Sequence, residues 1–202
     1  MKTFAMFRDH FIRRFRFYKD LGDRTLAQLD ETQLFWQPNG ESNCIAVLVK
    51  HLSGNMLSRW TNFLKEDGEK PWRDRDGEFS NTFRTRQEVL DCWEKGWHCL
   101  FAALEQIDNE NIHYIIYIRN EPYSILDAVL RQLSHYPYHI GQMVYIAKML
   151  QGENWQNLSI PKGQSEEYLR NMETHFPEPG QQNTSPVCFA KDQDIRDEYR
   201  ET

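Results

Sequence analysis

Two histidines one helical turn apart are the residues of this chain best suited to chemistry. His135 and His139 lie four residues apart within residues 133–142, and side chains at that spacing share one face of a helix. A third histidine, His51, lies in a separate amphipathic segment, residues 45–55. If His51 faces the pair from a neighbouring helix, three neutral imidazoles can hold a divalent metal ion and leave a coordination position open. The spacing therefore indicates a working metal site, because structural zinc sites fill all four positions with protein ligands. Histidines that are only solvated or hydrogen-bonded are the alternative, since pairs at this spacing occur on many helices.

Helical arithmetic predicts the surroundings of these histidines. An apolar seam of alternating four- and three-residue steps is expected on the late helix, formed by Leu126, Leu130, Leu133, Pro137, Ile140, Val144 and Ala147. His135 and His139 fall roughly opposite that seam, with Arg131 and Gln142 near them. His51 shares its face with Cys44, Val47, Asn55 and Ser58. We therefore expect a pocket lined by imidazole, amide, hydroxyl and guanidinium groups, which satisfy one another, water or a metal ion.

Four long helices must position these residues. They are predicted over residues 3–29, from 42 or 43 to 64, 85–107 and 124–151. Ser or Thr caps open the last two, and Gly152 stands where the last one should stop. Between them, residues 112–118 predict a short strand or hairpin, and residues 164–172 a short helix. Residues 65–82 form a long polar loop, which we interpret as a solvated connection, although the charged part around Trp72 could instead cover the mouth of the pocket or build a dimer contact. An all-α bundle is the predicted fold class.

The bulk composition restricts the class of protein. A chain of 202 residues fits one domain with a real core, which we place at residues 1–176, followed by a polar, weakly ordered tail at 177–202. The net charge of -6 argues against a nucleic-acid partner. The chain has no long apolar run, so neither a membrane span nor a signal peptide is expected. Its four cysteines include no Cys-x-x-Cys pair, which suggests reduced thiols and a cytoplasmic location.

The histidine segments resemble one known superfamily. The string His135-x-x-x-His139-x-Gly141-Gln142, together with the earlier segment that carries His51, resembles the DinB superfamily, and residues 67–73 and 158–163 resemble one uncharacterised branch of it. The resemblance covers residues 4–165 or so. It implies a four-helix bundle of up-down-down-up topology, often a homodimer, in which three histidines matching His51, His135 and His139 hold nickel or zinc.

The same resemblance suggests a reaction. Characterised relatives transfer low-molecular-weight thiols such as bacillithiol or mycothiol, and others are described as metal-dependent hydrolases. A metal ion can lower the pKa of a bound thiol or of a bound water. No carboxylate lies at helical spacing beside the histidines, which favours transfer of a thiol, as a metal-bound thiolate, to a small electrophilic substrate. Metal-dependent hydrolysis and a non-catalytic, stress-related dimerisation module are the alternatives.

Four further residues are candidates for orienting the imidazoles or binding substrate. Asn55, Tyr138 and Gln142 carry suitable polar groups, but each also fits ordinary packing or helix-surface polarity. Arg131 could pair with a substrate carboxylate, although a surface ion pair is the more usual role of such an arginine. Cys44 could be a fourth ligand, although a small buried hydrophobe is its more usual role.

Overall fold

The computed structural model describes the backbone of residues 2–175 and the side chains of residues 8–172. Within that part of the chain it is mainly helical, as predicted, with one two-stranded sheet. Its helices are α1 (Lys2–Ala27), α2 (Glu31–Leu34), α3 (Ile45–Trp60), α4 (Arg86–Leu104), α5 (Ile125–Gln151) and α6 (Ser165–His175). Its strands are β1 (Ile115–Ile118) and β2 (Glu121–Ser124), and they pair antiparallel.

Side-chain caps fix where α4 and α5 begin. The Thr85 hydroxyl accepts a hydrogen bond from the Glu88 N–H at 3.3 Å and opens α4. The Ser124 hydroxyl accepts one from the Asp127 N–H at 3.1 Å and opens α5. Each cap satisfies an N–H that has no partner within its own helix. The two predicted caps are therefore confirmed, and Gly152, with φ of 55°, follows the end of α5 as expected.

Helix α3 lies at the centre of the core. Thirteen of its 16 residues are buried, so it is surrounded on almost every side, mainly by α4 and also by α5. Most apolar residues of α3 are buried, but so are the polar residues His51, Asn55 and Ser58. A helix that is buried all round must have its polar side chains satisfied inside the protein. His51 meets this requirement through Glu78, Ser58 through the Gly68 carbonyl oxygen and Asn55 through Tyr136.

The predicted apolar seam of α5 is only partly correct. Ile140 and Ala147 are buried and Leu133 and Val144 pack against the core, but Leu126 and Leu130 are 42% and 46% exposed. The buried face is formed by Ile125, Ala128, Val129, Gln132, Tyr136, Ile140, Met143 and Ala147. Helix α5 has apolar residues on two faces, and the four-three spacing fits both of them. The buried face includes Gln132 and Tyr136, whose polar groups have partners inside the protein, so hydrophobicity alone could not identify it.

The loop between α3 and α4 is attached to the β1–β2 hairpin. Arg119 and Asn120 form the two-residue turn, with φ of 59° and 61°, as in the primed turns that favour hairpins. The Asp67 carboxylate accepts hydrogen bonds from both of their N–H groups at 2.8 Å. The predicted short hairpin is confirmed in this region, with its second strand directly before α5.

The chain divides into two compact units, Met1–Trp155 and Gln156–Thr202. All residues of the candidate site belong to the first unit. The second includes α6, which confirms the predicted short helix. The predicted tail at 177–202 lies outside the described residues, and the domain boundary at residue 176 stays a prediction. Among the described residues, no helix combines the length and the apolar character needed to cross a membrane.

Candidate metal centre

The three predicted histidines meet at one point. His51 comes from α3, whereas His135 and His139 come from successive turns of α5. The Nε2 atom of His135 lies 3.4 Å from Nε2 of His51 and 3.0 Å from Nε2 of His139. One ligand atom from each histidine lies within 4.8 Å of the others. The structure therefore brings together residues that are 84 positions apart in the chain.

The arrangement of the rings suits a divalent ion. The three ring planes are mutually almost perpendicular, at 77–80°, so their nitrogens approach the common point from different directions. Two imidazole nitrogens that bind one tetrahedral zinc at about 2.0–2.1 Å lie about 3.3–3.4 Å apart. The observed Nε2 separations of 3.0 and 3.4 Å are close to that spacing. The donor set therefore fits a divalent metal ion.

A side-chain oxygen faces the other nitrogen of every ring. Nδ1 of His51 lies 3.0 Å from Oε2 of Glu78, and Nδ1 of His139 lies 2.7 Å from Oε1 of Gln142. Nδ1 of His135 lies 3.4 Å from Oε1 of Gln132. Oxygen acceptors at Nδ1 favour the tautomer that carries its proton there, which leaves the Nε2 lone pair for a metal.

Two of the rings are held in the neutral form that a metal ligand requires. The pKa of His135 is lowered to about 3, because burial disfavours the charged ring and the neighbouring His139 and His51 add repulsion. Burial also lowers the pKa of His139; the hydrogen bond with Gln142 opposes this shift, and His51 adds to it. Both imidazoles are consequently uncharged at neutral pH.

Glu78 is a site residue that the sequence did not reveal. Its carboxylate accepts two hydrogen bonds from Arg73, at 2.7 and 2.9 Å, besides facing His51. The side chains of Glu78 and Arg73 are only 6% and 2% exposed. Burial raises the pKa of Glu78, but the hydrogen bonds from His51 and Arg73 outweigh it and hold the pKa below its ordinary value. The expectation from the sequence concerned only carboxylates at helical spacing from the histidines. Glu78 comes instead from the loop between α3 and α4, which that spacing does not cover.

The interpretation of residues 65–82 as a solvated connection is wrong for the part that reaches α3. Lys50 donates hydrogen bonds to the carbonyl oxygens of Gly77 and Ser80 at 2.6 and 2.9 Å. The ring of Phe79 stacks on His51, with centroids 4.9 Å apart. The loop therefore supplies a carboxylate and an aromatic wall to the site.

Gly54 makes room for this loop. It lies one turn after His51, and a Cβ at this position would overlap the Glu78 carboxylate. A glycine inside a buried helix lowers helix stability relative to alanine. Gly54 was the one signal in the sequence that another part of the chain packs closely against α3 at this turn.

The other predicted residues take different positions. Gln142 contacts His139, and its amide also donates to the Tyr138 hydroxyl at 3.4 Å. Asn55 serves the core, because its Oδ1 accepts from the Tyr136 hydroxyl at 3.2 Å. Arg131 is exposed and lies over the ring of Tyr123. Cys44 is buried directly before α3.

A mainly helical fold with three convergent, oriented imidazoles defines a candidate metal-binding helical protein. Comparison with models of protein families assigns the chain to a family. Residues 3–164 match DUF1572, described as a protein of unknown function, and the chain belongs to this family. A search of curated proteins found no match to the chain.

Proposed function

We propose that this protein binds one divalent ion, nickel or zinc, at His51, His135 and His139 and transfers a low-molecular-weight thiol to an electrophile. The observation that carries the proposal is the convergence of three Nε2 atoms while each Nδ1 faces a side-chain oxygen. Three protein ligands are typical of catalytic zinc sites, whereas structural sites use four. The contacts around the three rings thus support an ion with room for a further ligand.

The chemistry of the ion would be to lower the pKa of a bound thiol, so that sulfur is nucleophilic at neutral pH. The residues of the chain supply the rest. Glu78, Gln132 and Gln142 hold the three rings in place, and burial keeps His135 and His139 neutral. In the proposed reaction the sulfur forms the new S–C bond, the leaving group departs with the bonding electron pair, and the thiol proton passes to solvent.

The contacts of Glu78 favour thiol transfer over hydrolysis. A hydrolase needs a general base for its water, and Glu78 is the carboxylate that contacts a histidine of the cluster. Both of its oxygens are already engaged, one by Arg73 and the other by Arg73 and His51. A thiol that is itself the nucleophile does not need this base.

The proposal is tested by thiol consumption. Protein loaded with nickel or zinc is mixed with bacillithiol or cysteine and with 1-chloro-2,4-dinitrobenzene, and the thioether product is measured. We expect turnover that stops after chelation, returns when the metal is restored, and is absent in His139→Ala. The matched control His98→Ala changes an exposed histidine of α4 and should keep full turnover.

Other outcomes separate the alternatives. Activity that survives complete metal removal contradicts the proposal. Ester turnover that needs metal but no thiol favours hydrolysis. Metal binding without turnover across a broad panel of thiols and esters favours a non-catalytic module.

The finer structural expectations are also proposals. We propose a DinB-like four-helix bundle formed by α1, α3, α4 and α5, a homodimer in solution and a cytoplasmic location. The pairwise packing of α3 on α4 and of α1 on α5 supports the bundle. Its topology and the dimer rest on the resemblance of the histidine segments.

A further inference from the structure

Arg131 lies on the same ridge of α5 as two of the histidines. It precedes His135 by four residues, as His135 precedes His139, and residues four apart on a helix are neighbours, about 5–6 Å between Cβ atoms. Its guanidinium carbon lies 5.7 Å from the ring centroid of Tyr123 in β2. The Tyr123 hydroxyl donates to Glu121 at 2.6 Å. The Tyr123 ring, which this hydrogen bond holds in place, thus packs against the exposed guanidinium of Arg131.

Arg131 has no ion-pair partner among residues 8–172, whose side chains the structure describes. Asp127, one turn earlier on α5, does not approach it within 4.0 Å. The buried arginines are engaged differently, since Arg73 bonds Glu78 and Arg59 contacts Glu69. The surface ion pair expected for Arg131 is therefore not formed with any side chain that the structure describes.

Arg131 and His135 occupy successive turns of one ridge of α5. An anion bound at Arg131 would therefore lie beside the turn that carries the first of the two α5 histidines. Guanidinium groups bind carboxylates through two parallel hydrogen bonds, which gives geometric selectivity as well as affinity.

We propose that Arg131 is a specificity-determining residue that selects thiols carrying a carboxylate a few bonds from the sulfur. The inference rests on the proposed function, because it assumes that the thiol sulfur occupies the open position at the three histidines. One helical turn separates Arg131 from His135, so a thiol whose sulfur lies at the histidines would extend its carboxylate along α5 towards the guanidinium. The Tyr123 ring restricts the guanidinium, which lowers the entropy lost when it binds an anion.

The test compares two thiols that differ only in charge. Protein loaded with Co²⁺ is titrated with 3-mercaptopropionate and with 3-mercaptopropionamide, and dissociation constants are taken from the cobalt–thiolate absorption. We expect wild-type protein to prefer the carboxylate by about two- to fivefold, the upper part of the range for an exposed ion pair. The preference should weaken as salt screens the pair.

Variants assign the preference to Arg131. In Arg131→Gln the ratio of the two dissociation constants should fall to about one, because the carboxylate loses its partner. Arg131→Lys keeps the charge without the planar fork and should retain part of the preference. The matched control Lys148→Gln removes another exposed charge from α5 and should leave the ratio at its wild-type value.

The outcomes distinguish this inference from the proposed function. Equal binding of both thiols by wild-type protein, or a preference that persists in Arg131→Gln, overturns the role of Arg131 alone. Failure of both thiols to bind Co²⁺-loaded protein overturns this inference and the proposed function together.

Discussion

His51 and Glu78 are 27 residues apart in the chain, and Nδ1 of His51 lies 3.0 Å from Oε2 of Glu78. A carboxylate on the far nitrogen of a ligating imidazole orients the ring and makes it a stronger metal ligand. Arg73 holds the carboxylate in turn. The orientation of His51 therefore depends on a loop that hydrophobic periodicity does not describe.

Replacing Glu78 should weaken metal binding without removing a ligand. In Glu78→Gln the negative charge behind His51 is lost, and we expect the affinity for Zn²⁺ or Ni²⁺ to fall by about 10- to 100-fold. Competition with a chromophoric chelator measures it. Asp76→Asn removes an exposed charge from the same loop and is the matched control. Unchanged affinity in Glu78→Gln would show that the contact with His51 has no role in metal binding.

Replacing each of two helical glycines by alanine should change the free energy of unfolding in opposite directions. A Cβ at Gly54 would overlap the Glu78 carboxylate, whereas a Cβ at Gly141 meets nothing within 4 Å. We expect Gly54→Ala to lower the free energy of unfolding by about 1–3 kcal/mol and to weaken metal binding. Gly141→Ala should raise the free energy of unfolding by about 0.5–1 kcal/mol. Denaturant unfolding checks both, and a stabilised Gly54→Ala would contradict the close approach of the loop.

The hydroxyl of Tyr136 should matter for folding more than for the metal. It accepts a hydrogen bond from the Trp60 indole N–H at 3.1 Å and donates to Asn55 at 3.2 Å. Tyr136→Phe leaves both partners buried and unsatisfied, which should cost about 1–3 kcal/mol of unfolding free energy. Tyr145→Phe, at an exposed position of α5, should stay within about 0.5 kcal/mol of wild type. A Tyr136→Phe protein as stable as wild type would argue against this assignment of Asn55 to the core.

The contact between Asp67 and the hairpin should make stability depend on pH. Burial raises the pKa of Asp67, but hydrogen bonds from the N–H groups of Glu69, Asn120 and Arg119 outweigh it and hold the pKa below 3.8. A lowered pKa in the folded state stabilises the fold above about pH 3.8, and this contribution is lost as the pH falls through the folded-state pKa.

The free energy of unfolding of Asp67→Asn should therefore differ from that of wild type only at pH values at which the Asp67 carboxylate is ionised. We expect a loss of about 1 kcal/mol at pH 7 that shrinks as the solution is acidified below about pH 3.8. Unfolding curves across this range measure it, with Asp76→Asn as the control. A constant difference at all pH values would contradict the ionic origin of the effect.

The helices could be predicted from the sequence because their signals are local. Thr85 and Ser124 cap α4 and α5 through contacts three residues away, and Gly152 adopts the positive φ expected after a helix end. The histidines could be paired for the same reason, since the spacing of His135 and His139 follows from helical geometry alone.

The buried face of α5 and the role of Glu78 depend on contacts distant in sequence. Leu126 and Tyr136 both suit a core by composition, and only packing against α1 and α3 decides that Tyr136 is inside. Glu78 lies among several acidic residues of one loop, and nothing in its immediate neighbours distinguishes it. Glu78 reaches His51 because Arg73 binds its carboxylate and because Gly54 leaves space for it.

The most direct measurement is calorimetric titration of metal-free protein with Zn²⁺ or Ni²⁺, for wild type and for His51→Ala, His135→Ala and His139→Ala. Wild type should bind about one ion per chain, and each variant should lose more affinity than the roughly 100-fold limit for residues that only support a ligand. His98→Ala should bind like wild type. If His51→Ala binds metal as tightly as wild type, the two helices do not share an ion, and the metal centre described above is wrong.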